Sequence, residues 1–366
     1  MKNTFGNSLS ITLFGESHGP YTGAVLDGLA PGMDIDVEFI KDQLLLRRPS
    51  GKISTKRVEA DEFSFASGVY NGKTTGTPLC ILIPNTVQKS ADYGEETERP
   101  ARPGHADFTA RMKYHGFEDY RGGGHFSGRI TAALVAAGAV VIPALKDKGI
   151  VIGTHIKSLG DIKDRDFSDY GKDIEVLSHK VFAVLDENAE KQMVAKIEDT
   201  AAKLDSIGGV LETVVYGMPA GVGEPWFDSV ESVLSHGLYS IPGIKGVQFG
   251  AGFDLAGGYG SEFNDAFYND NGNIRTKSNN NGGINGGITN GMPIIIRSAV
   301  KPTPSIYKEQ DTVLLDSGKD TKLSIQGRHD PTIIHRARVV VDSMTALCVY
   351  DLLASRFGTD FFKGDK

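Results

Sequence analysis

DYRGGGHFSGRITAALVAAGAVVIPAL, from Asp119 to Leu145, changes character half-way. Up to Arg129 it is polar, with three consecutive glycines, a histidine and two arginines. From Ile130 to Leu145 it carries no charge at all. The apolar half is rich in Ala and Gly, contains Pro143 and falls short of the roughly 20 residues a membrane span needs. A buried core helix from Arg129 to about Val141 is therefore expected, with a crowded polar loop at its entry.

Upstream, Leu9 to Phe14 and Gly23 to Leu29 read as strands joined by Gly15-Glu16-Ser17-His18-Gly19. Val37 to Arg47 reads as an amphipathic helix capped by Asp36, with Pro49 after its end. Leu79 to Ile83 is a short apolar strand. Asp92 to Gly128 shows little periodicity, and an irregular stretch that long is usually a functional loop.

Downstream, strands are expected near Ile150 to His155, Val181 to Leu185, Gly209 to Tyr216 and Ile294 to Val300. Helices are expected over Asn188 to Leu204, Phe227 to Leu238 and Ile333 to Leu353, and a Gly/Asn-rich loop over Gly257 to Gly291. Strands and helices do not alternate regularly, which argues against a doubly wound sheet or a (β/α)₈ barrel. No linker divides the chain, so residues 1–366 are expected to form a single domain.

Hydrophobic residues make up 40% and charged residues 23%, proportions of a folded globular chain rather than a disordered one. The net charge of −7 gives no global attraction to nucleic acid or to acidic membranes. Cys80 and Cys348 sit in apolar runs and read as buried thiols. Met1 to Gly6 leads straight into a strand-like segment, so no signal peptide is expected and the location is read as cytoplasmic.

Familiar cofactor motifs are missing. Gly72-Lys73-Thr74 would need a glycine at position 67 to be a phosphate loop, and Ser67 stands there. No strand leads into a G-x-G-x-x-G turn, and neither a His-Glu-x-x-His nor a paired Cys-x-x-Cys metal motif occurs. No metal is expected.

Three segments carry the candidate chemistry. In the first, His18 lies at a strand end among glycines and can carry a proton near neutral pH; alone the signal is weak and reads more readily as a turn histidine bonded to backbone. The second is Arg102-Pro103-Gly104-His105-Ala106-Asp107 with the run from Asp119 to Arg129. Guanidinium groups beside a helix N-terminus make an anion site. The third is Lys301-Pro302-Thr303-Pro304-Ser305-Ile306 with Gly327-Arg328-His329-Asp330-Pro331. A lysine and two hydroxyls after a strand can hold a phosphate. Asp330 could be a base, or a plain capping or turn residue before Pro331.

Taken together these segments resemble the chorismate synthase family. Gly15 to Gly19, Arg47 to Pro49, Arg102 to Asp107, Tyr120 to Gly124, Lys301 to Ile306 and Gly327 to Pro331 match its motifs in order. Asp205 to Gly209 and Gly221 to Pro225 are smaller matches. The chain departs from the family at His125-Phe126-Ser127-Gly128-Arg129, where Arg-Ser-Ser-Ala-Arg is usual, and at Lys52, where arginine is common.

The resemblance implies an α+β fold, a β-α-β sandwich with helices packed between antiparallel sheets, assembled as a homotetramer. It implies a lyase that removes phosphate from 5-enolpyruvylshikimate 3-phosphate by 1,4-anti elimination, using reduced FMN without net redox, with NADPH as indirect reductant. Arg48, Arg102, Arg129 and Arg328 would bind the substrate. His18 would protonate the leaving phosphate, His105 would keep the flavin suitably protonated, and Asp330 would accept a proton through the flavin. Ser17 and Ser127 would support them. His125, Phe126, Ser127, Pro242, Gly243, Gly286, Lys301, Pro302, Thr303, Pro304, Ser305 and Arg328 match flavin-contacting positions, and Arg47 a position linked to NADPH. Two other readings stay open: a flavin oxidoreductase with net redox, and an RNA-binding protein using the Arg/Gly loops.

Overall fold

The computed structural model describes residues 2–49, 61–86, 99–325, 327 and 329–364. Lys52 and Arg328 lie outside the described residues.

Two helices form the centre. Thr131–Asp147 is buried continuously from Ala132 to Val141, and Ile334–Phe357 continuously from Ala337 to Ala354. A helix covered on all sides must lie between layers rather than on a surface. The two pack on each other, and Gly138 shows how closely: a Cβ there would fall 2.4 Å from Ser343 Cβ. The Ala/Gly richness of the apolar run is thus a packing requirement. Together with the 3-10 turn Gly128–Ile130 before it, the central helix makes a 20-residue segment long and apolar enough to cross a membrane, yet most of it is buried inside the protein.

A five-stranded antiparallel sheet flanks the helices on each side. One has the order Thr4–Phe5, Ser10–Gly15, Tyr21–Asp27, Leu79–Pro84, Ser64–Ser67. The other runs Ile244–Phe249, Ile294–Val300, Gly209–Tyr216, Val151–Leu159, Ile162–Lys163. The central helix packs on Tyr21–Asp27 and Leu79–Pro84, while the last helix packs on Val151–Leu159 and Gly209–Tyr216. Along Ile294–Val300 burial alternates, with Ile294, Ile296, Ser298 and Val300 on the buried face. This is the expected α+β sandwich of antiparallel sheets around helices.

Most expected elements form, and the first helix is Val37–Arg47 with Asp36 accepting from Phe39 N–H at 2.9 Å. Several expectations need correction. The central α-helix begins at Thr131 and runs through Pro143 to Asp147, six residues beyond Val141. Residues 181–185 are not a strand. Their backbone is satisfied otherwise: Ile156 N–H donates to the Ala183 carbonyl at 2.7 Å, and Leu185 N–H to the Asp164 carboxylate at 2.7 Å. The glycine-rich stretch 257–291 contains the hairpin Phe267–Asp270/Asn273–Thr276 and a tight pair, Ile284–Asn285/Ile288–Thr289. The helix Tyr170–Ser178 and the strand Ile244–Phe249 were not expected. Cys348 is buried, Cys80 is half-buried, and both are free thiols.

Candidate active site

The first two sequence motifs fold into one unit. Ser17 N–H donates to the Gly124 carbonyl at 3.0 Å, and His125 Nδ1–H donates to the Gly15 carbonyl at 2.8 Å. Gly122 has φ +58°, and a Cβ there would lie 2.5 Å from His18 Cε1 and 2.8 Å from Ser17 Oγ. The glycine run therefore lets backbone lie directly against the histidine. Asn85 clamps the other side, its Nδ2 donating to the carbonyls of Glu16 (3.0 Å) and Gly19 (2.8 Å). Asp119 is paired with Arg121 at 2.8 Å. Hydrogen bonds from Arg121 hold its carboxyl below the usual range. Ser127 Oγ accepts from Arg129 N–H at 3.3 Å, and Phe126 packs edge-on to Tyr114.

The second grouping joins His105 to the Lys301–Ser305 loop. Lys301 Nζ donates to the Gly104 carbonyl at 2.7 Å, and Ser206 Oγ donates to the Thr303 carbonyl at 2.6 Å. A Cβ on Gly104 would meet Pro304 Cβ at 2.8 Å. His105 Nδ1 lies 3.1 Å from the Pro103 carbonyl and Nε2 lies 2.9 Å from Ser305 Oγ. A carbonyl can only accept, so Nδ1 carries the proton. Burial, then the Arg102 charge, push the His105 pKa down. The ring is thus neutral at pH 7, and Ser305 donates to its bare Nε2. Arg102 is fixed by a two-pronged pair with Asp107, at 2.8 and 2.7 Å. Burial alone would raise the Asp107 carboxyl, but Arg102 outweighs it and holds it low. Lys301 N–H donates to the Gly243 carbonyl at 2.9 Å, which brings Pro242-Gly243 to this loop.

The third grouping is centred on a residue that sequence reasoning missed. The Asp61 side chain is fully buried and gathers three guanidiniums. Arg47 donates to it at 2.9 Å, Arg129 pairs with its other oxygen, and Arg48 Nε lies 3.8 Å away. Burial pushes the Asp61 carboxyl up, yet Arg47 and Arg129 outweigh it and hold it below its ordinary value. Burial likewise lowers the Arg47 pKa. Arg129 also donates to Asn85 Oδ1 at 2.9 Å, tying this cluster to the His18 loop. On the far side Arg336 donates to the Arg47 carbonyl at 2.9 Å and pairs with Asp330 at 2.5 Å. Four guanidiniums thus face two carboxylates, and the excess positive charge suits a polyanion.

Asp330 does not cap the last helix: its N-cap is Ile333, with no side-chain cap bond. Burial, then Arg336, push neighbouring His335 down to about 4, so it stays neutral.

The expected residues do not all converge. Gly286 sits on the Ile284–Thr289 hairpin, whose Gly287 lies against the Glu224 carbonyl and Ser229. Lys301 follows the other end of the strand Ile294–Val300, so the two positions are separated by on the order of 20 Å along the sheet. Arg47 is buried, with its head on Asp61. Asp61, Asn85 and Arg336 carry no motif signal and are found only through contacts; Asp107 and Asp119 lie inside the motif segments, but their pairing with Arg102 and Arg121 shows only in the fold. Among the described residues no group of three or more His, Cys, Asp or Glu could hold a metal ion.

The family model described as chorismate synthase matches residues 9–354. The chain belongs to the chorismate synthase family. The chorismate synthase of Dehalococcoides mccartyi is 46% identical over 354 residues, 96% of each chain. That of Thermococcus kodakarensis is 42% identical over 351 residues, 96% of this chain and 97% of the relative. A solved structure described as the crystal structure of chorismate synthase superposes with a TM-score of 0.76 at 28% identity, covering 97% of this chain and 94% of the other. As a family member this chain is an enzyme, a lyase of the shikimate pathway.

Proposed function

We propose that this enzyme converts 5-enolpyruvylshikimate 3-phosphate into chorismate by 1,4-anti elimination of phosphate, with reduced FMN as cofactor and NADPH as its indirect reductant. The observation that carries the reading is the guanidinium excess around Asp61 and Asp330, tied through Arg129 and Asn85 to the His18 loop. A substrate with two carboxylates and a phosphate matches that excess.

The Lys301–Ser305 loop fits the phosphate of a flavin. The Thr303 hydroxyl is buried there without a hydrogen-bond partner. Burial, then the charge of Lys245, push the Lys301 ammonium down, so two cations and an unused donor share one place. When bound, reduced FMN supplies electron density toward a ring whose carbon–hydrogen bond is too weakly acidic for a side-chain base.

The chain's own residues bind, orient and move protons. Arg48, Arg102 and Arg129, with Arg328, hold the anions. His18, resting against Gly122 beside Ser17, donates a proton to the phosphate as its bond to carbon 3 breaks. Neutral His105, fixed by Pro103 and Ser305, maintains protonation at the cofactor. Asp330, oriented by Arg336, is the final acceptor of the proton lost from carbon 6. His125, Phe126, Ser127, Pro242 and Gly243 border the cofactor. The protein works as a single cytoplasmic domain in a homotetramer, with no nucleic-acid or membrane partner. Exposed Trp226, Phe227, Phe253, Phe267 and Ile274 suit such an assembly surface.

The test is an anaerobic assay with dithionite-reduced FMN and 5-enolpyruvylshikimate 3-phosphate. Chorismate and inorganic phosphate should appear in equal amounts without stoichiometric NADPH consumption. NADPH oxidation without phosphate release would point to an oxidoreductase instead.

A further inference from the structure

We infer that Asp61 is a positioning residue, a buried carboxylate that sets the spacing and net charge of the arginine clamp for the substrate's anions. The inference rests on the substrate reading of Arg48 and Arg129.

Three observations lead to it. First, Asp61 has φ +46°, the left-handed region that L residues other than Asn, Asp and Gly seldom occupy. A buried residue held in a sparsely populated conformation is a reason to look for a task. Second, both of its oxygens are used, one by Arg129 and the other by Arg47, with Arg48 just beyond. The carboxylate thus bridges the end of the helix Val37–Arg47 to the entry of the central helix. Third, the clamp is not saturated. Arg48 Nε and Arg47 Nε are buried without a hydrogen-bond partner, although donors in such surroundings are normally paired. Arg48 itself is about one quarter exposed.

Together these describe a split arrangement. Arg47 and Arg129 are both almost wholly inside; Arg47 is the anchor, while Arg129 also reaches Asn85 beside the His18 loop. Arg129 and Arg48 are the working groups, and Asp61 determines where their heads point. It also lowers the local positive charge, so that a small anion is not trapped where the substrate, with its three anionic groups, must come and go. Removing the Asp61 charge should therefore have two opposite effects. Small anions should bind more tightly, because the potential becomes more positive. Turnover should fall, because Arg129 and Arg48 are no longer held in place.

Asp61→Asn isolates the charge, since asparagine tolerates the same left-handed backbone and keeps one oxygen acceptor. If the single variant fails to fold, the Asp61→Asn/Arg47→Met double variant removes the anchor's charge together with the carboxylate, and the same measurements are made on it. The measurements are inhibition of anaerobic turnover by inorganic phosphate, kcat and KM for the substrate, and the rise in melting temperature that phosphate produces in the absence of substrate. Arg129→Ala is measured alongside.

The expected result for the single variant is a phosphate inhibition constant lowered about threefold or more, with kcat lowered at least about tenfold. In the double variant, where the lost charges balance, the inhibition constant should stay near the parent's while kcat still falls. If Arg129→Ala weakens substrate and phosphate binding but the folded Asp61 variants keep parental kcat, the positioning role is wrong and the substrate reading stands. If Arg129→Ala changes neither, the substrate reading itself fails. A variant that loses only thermal stability, with kcat and phosphate inhibition unchanged, would make Asp61 purely architectural and overturn the inference.

Discussion

Replacing Gly122 with Ala should damage catalysis far more than folding. Gly122 sits at φ +58°, and placing an L side chain there costs about 1–2 kcal/mol. At roughly 2–4 °C per kcal/mol for chains somewhat shorter than this one, the melting temperature should drop by a few degrees at most. The larger effect comes from position. The new Cβ would stand 2.5 Å from His18 Cε1, whereas non-bonded carbons settle at about 3.5–4.0 Å. The imidazole must move by about 1 Å, and a displacement of that size at a reacting group can cost about 10²-fold in rate. Gly123→Ala is the matched control. It has φ +86°, the same kind of backbone strain, but its Cβ would find only Ser127 Cβ, at 3.8 Å. Thermal melts and anaerobic single-turnover chorismate formation on both variants separate the two contributions. The expectation is similar stability loss in both, with turnover lost in Gly122→Ala and nearly retained in Gly123→Ala. Equal turnover in the two variants would refute the placement of His18 at the reacting centre.

Asp330→Asn should lower turnover by at least about 10²-fold. It should also lose about 1–3 kcal/mol of stability, because the Arg336 guanidinium at 2.5 Å then faces a neutral amide; near-parental turnover in the folded variant would remove Asp330 from proton transfer. Lys301→Met should weaken reduced-FMN binding by roughly 10–100-fold, as measured by anaerobic titration, and unchanged affinity would place the flavin phosphate elsewhere. Buried His155 lies 2.6 Å from Asp164 and 3.2 Å from Glu212. Burial lowers its pKa, but hydrogen bonds to the two carboxylates outweigh this and raise it. Its stabilisation is therefore complete below the ordinary histidine value near 6.5 and is lost as pH rises through the higher folded value. Glu212, pushed down to about 2 because His155, Lys157 and Arg297 outweigh its burial, behaves oppositely, stabilising above its ordinary value of 4.5 and losing this as pH falls toward about 2. Urea melts across pH 6–9 should show stability declining with pH in the parent and a flatter profile in His155→Gln; identical profiles would show that His155 is not charged.

Much of the layout was legible along the chain. The uncharged run after Arg129 has to be covered, the Asp36 cap and the spacing after it set a helix, and the alternation in Ile294–Val300 sets a strand, because each signal lies within a few residues. The six ordered motifs were equally local, and they identified the family. Contacts between distant segments left no such trace. Val181 to Leu185 looked like a strand because its residues favour one, but the Asp164 carboxylate takes the Leu185 N–H and Ile156 N–H takes the Ala183 carbonyl. The strand Ile244–Phe249 was hidden because Lys245 and Gly246 interrupt its apolar pattern.

The sequence by itself determined that this chain folds around buried apolar helices and carries the chemistry of its family. Pattern and residue type are properties of the chain, and they need no coordinates. Only the tertiary structure decided that His18 rests on Gly122, that His105 is neutral and bonded to Ser305, and that Arg47, Arg48 and Arg129 converge on Asp61. It also decided that Gly286 lies apart from Lys301 within one chain. The physical reason is range. A helix or strand is written in neighbours a few residues apart, whereas the protonation of a histidine and the aim of an arginine depend on burial and charges brought together from opposite ends of the sequence.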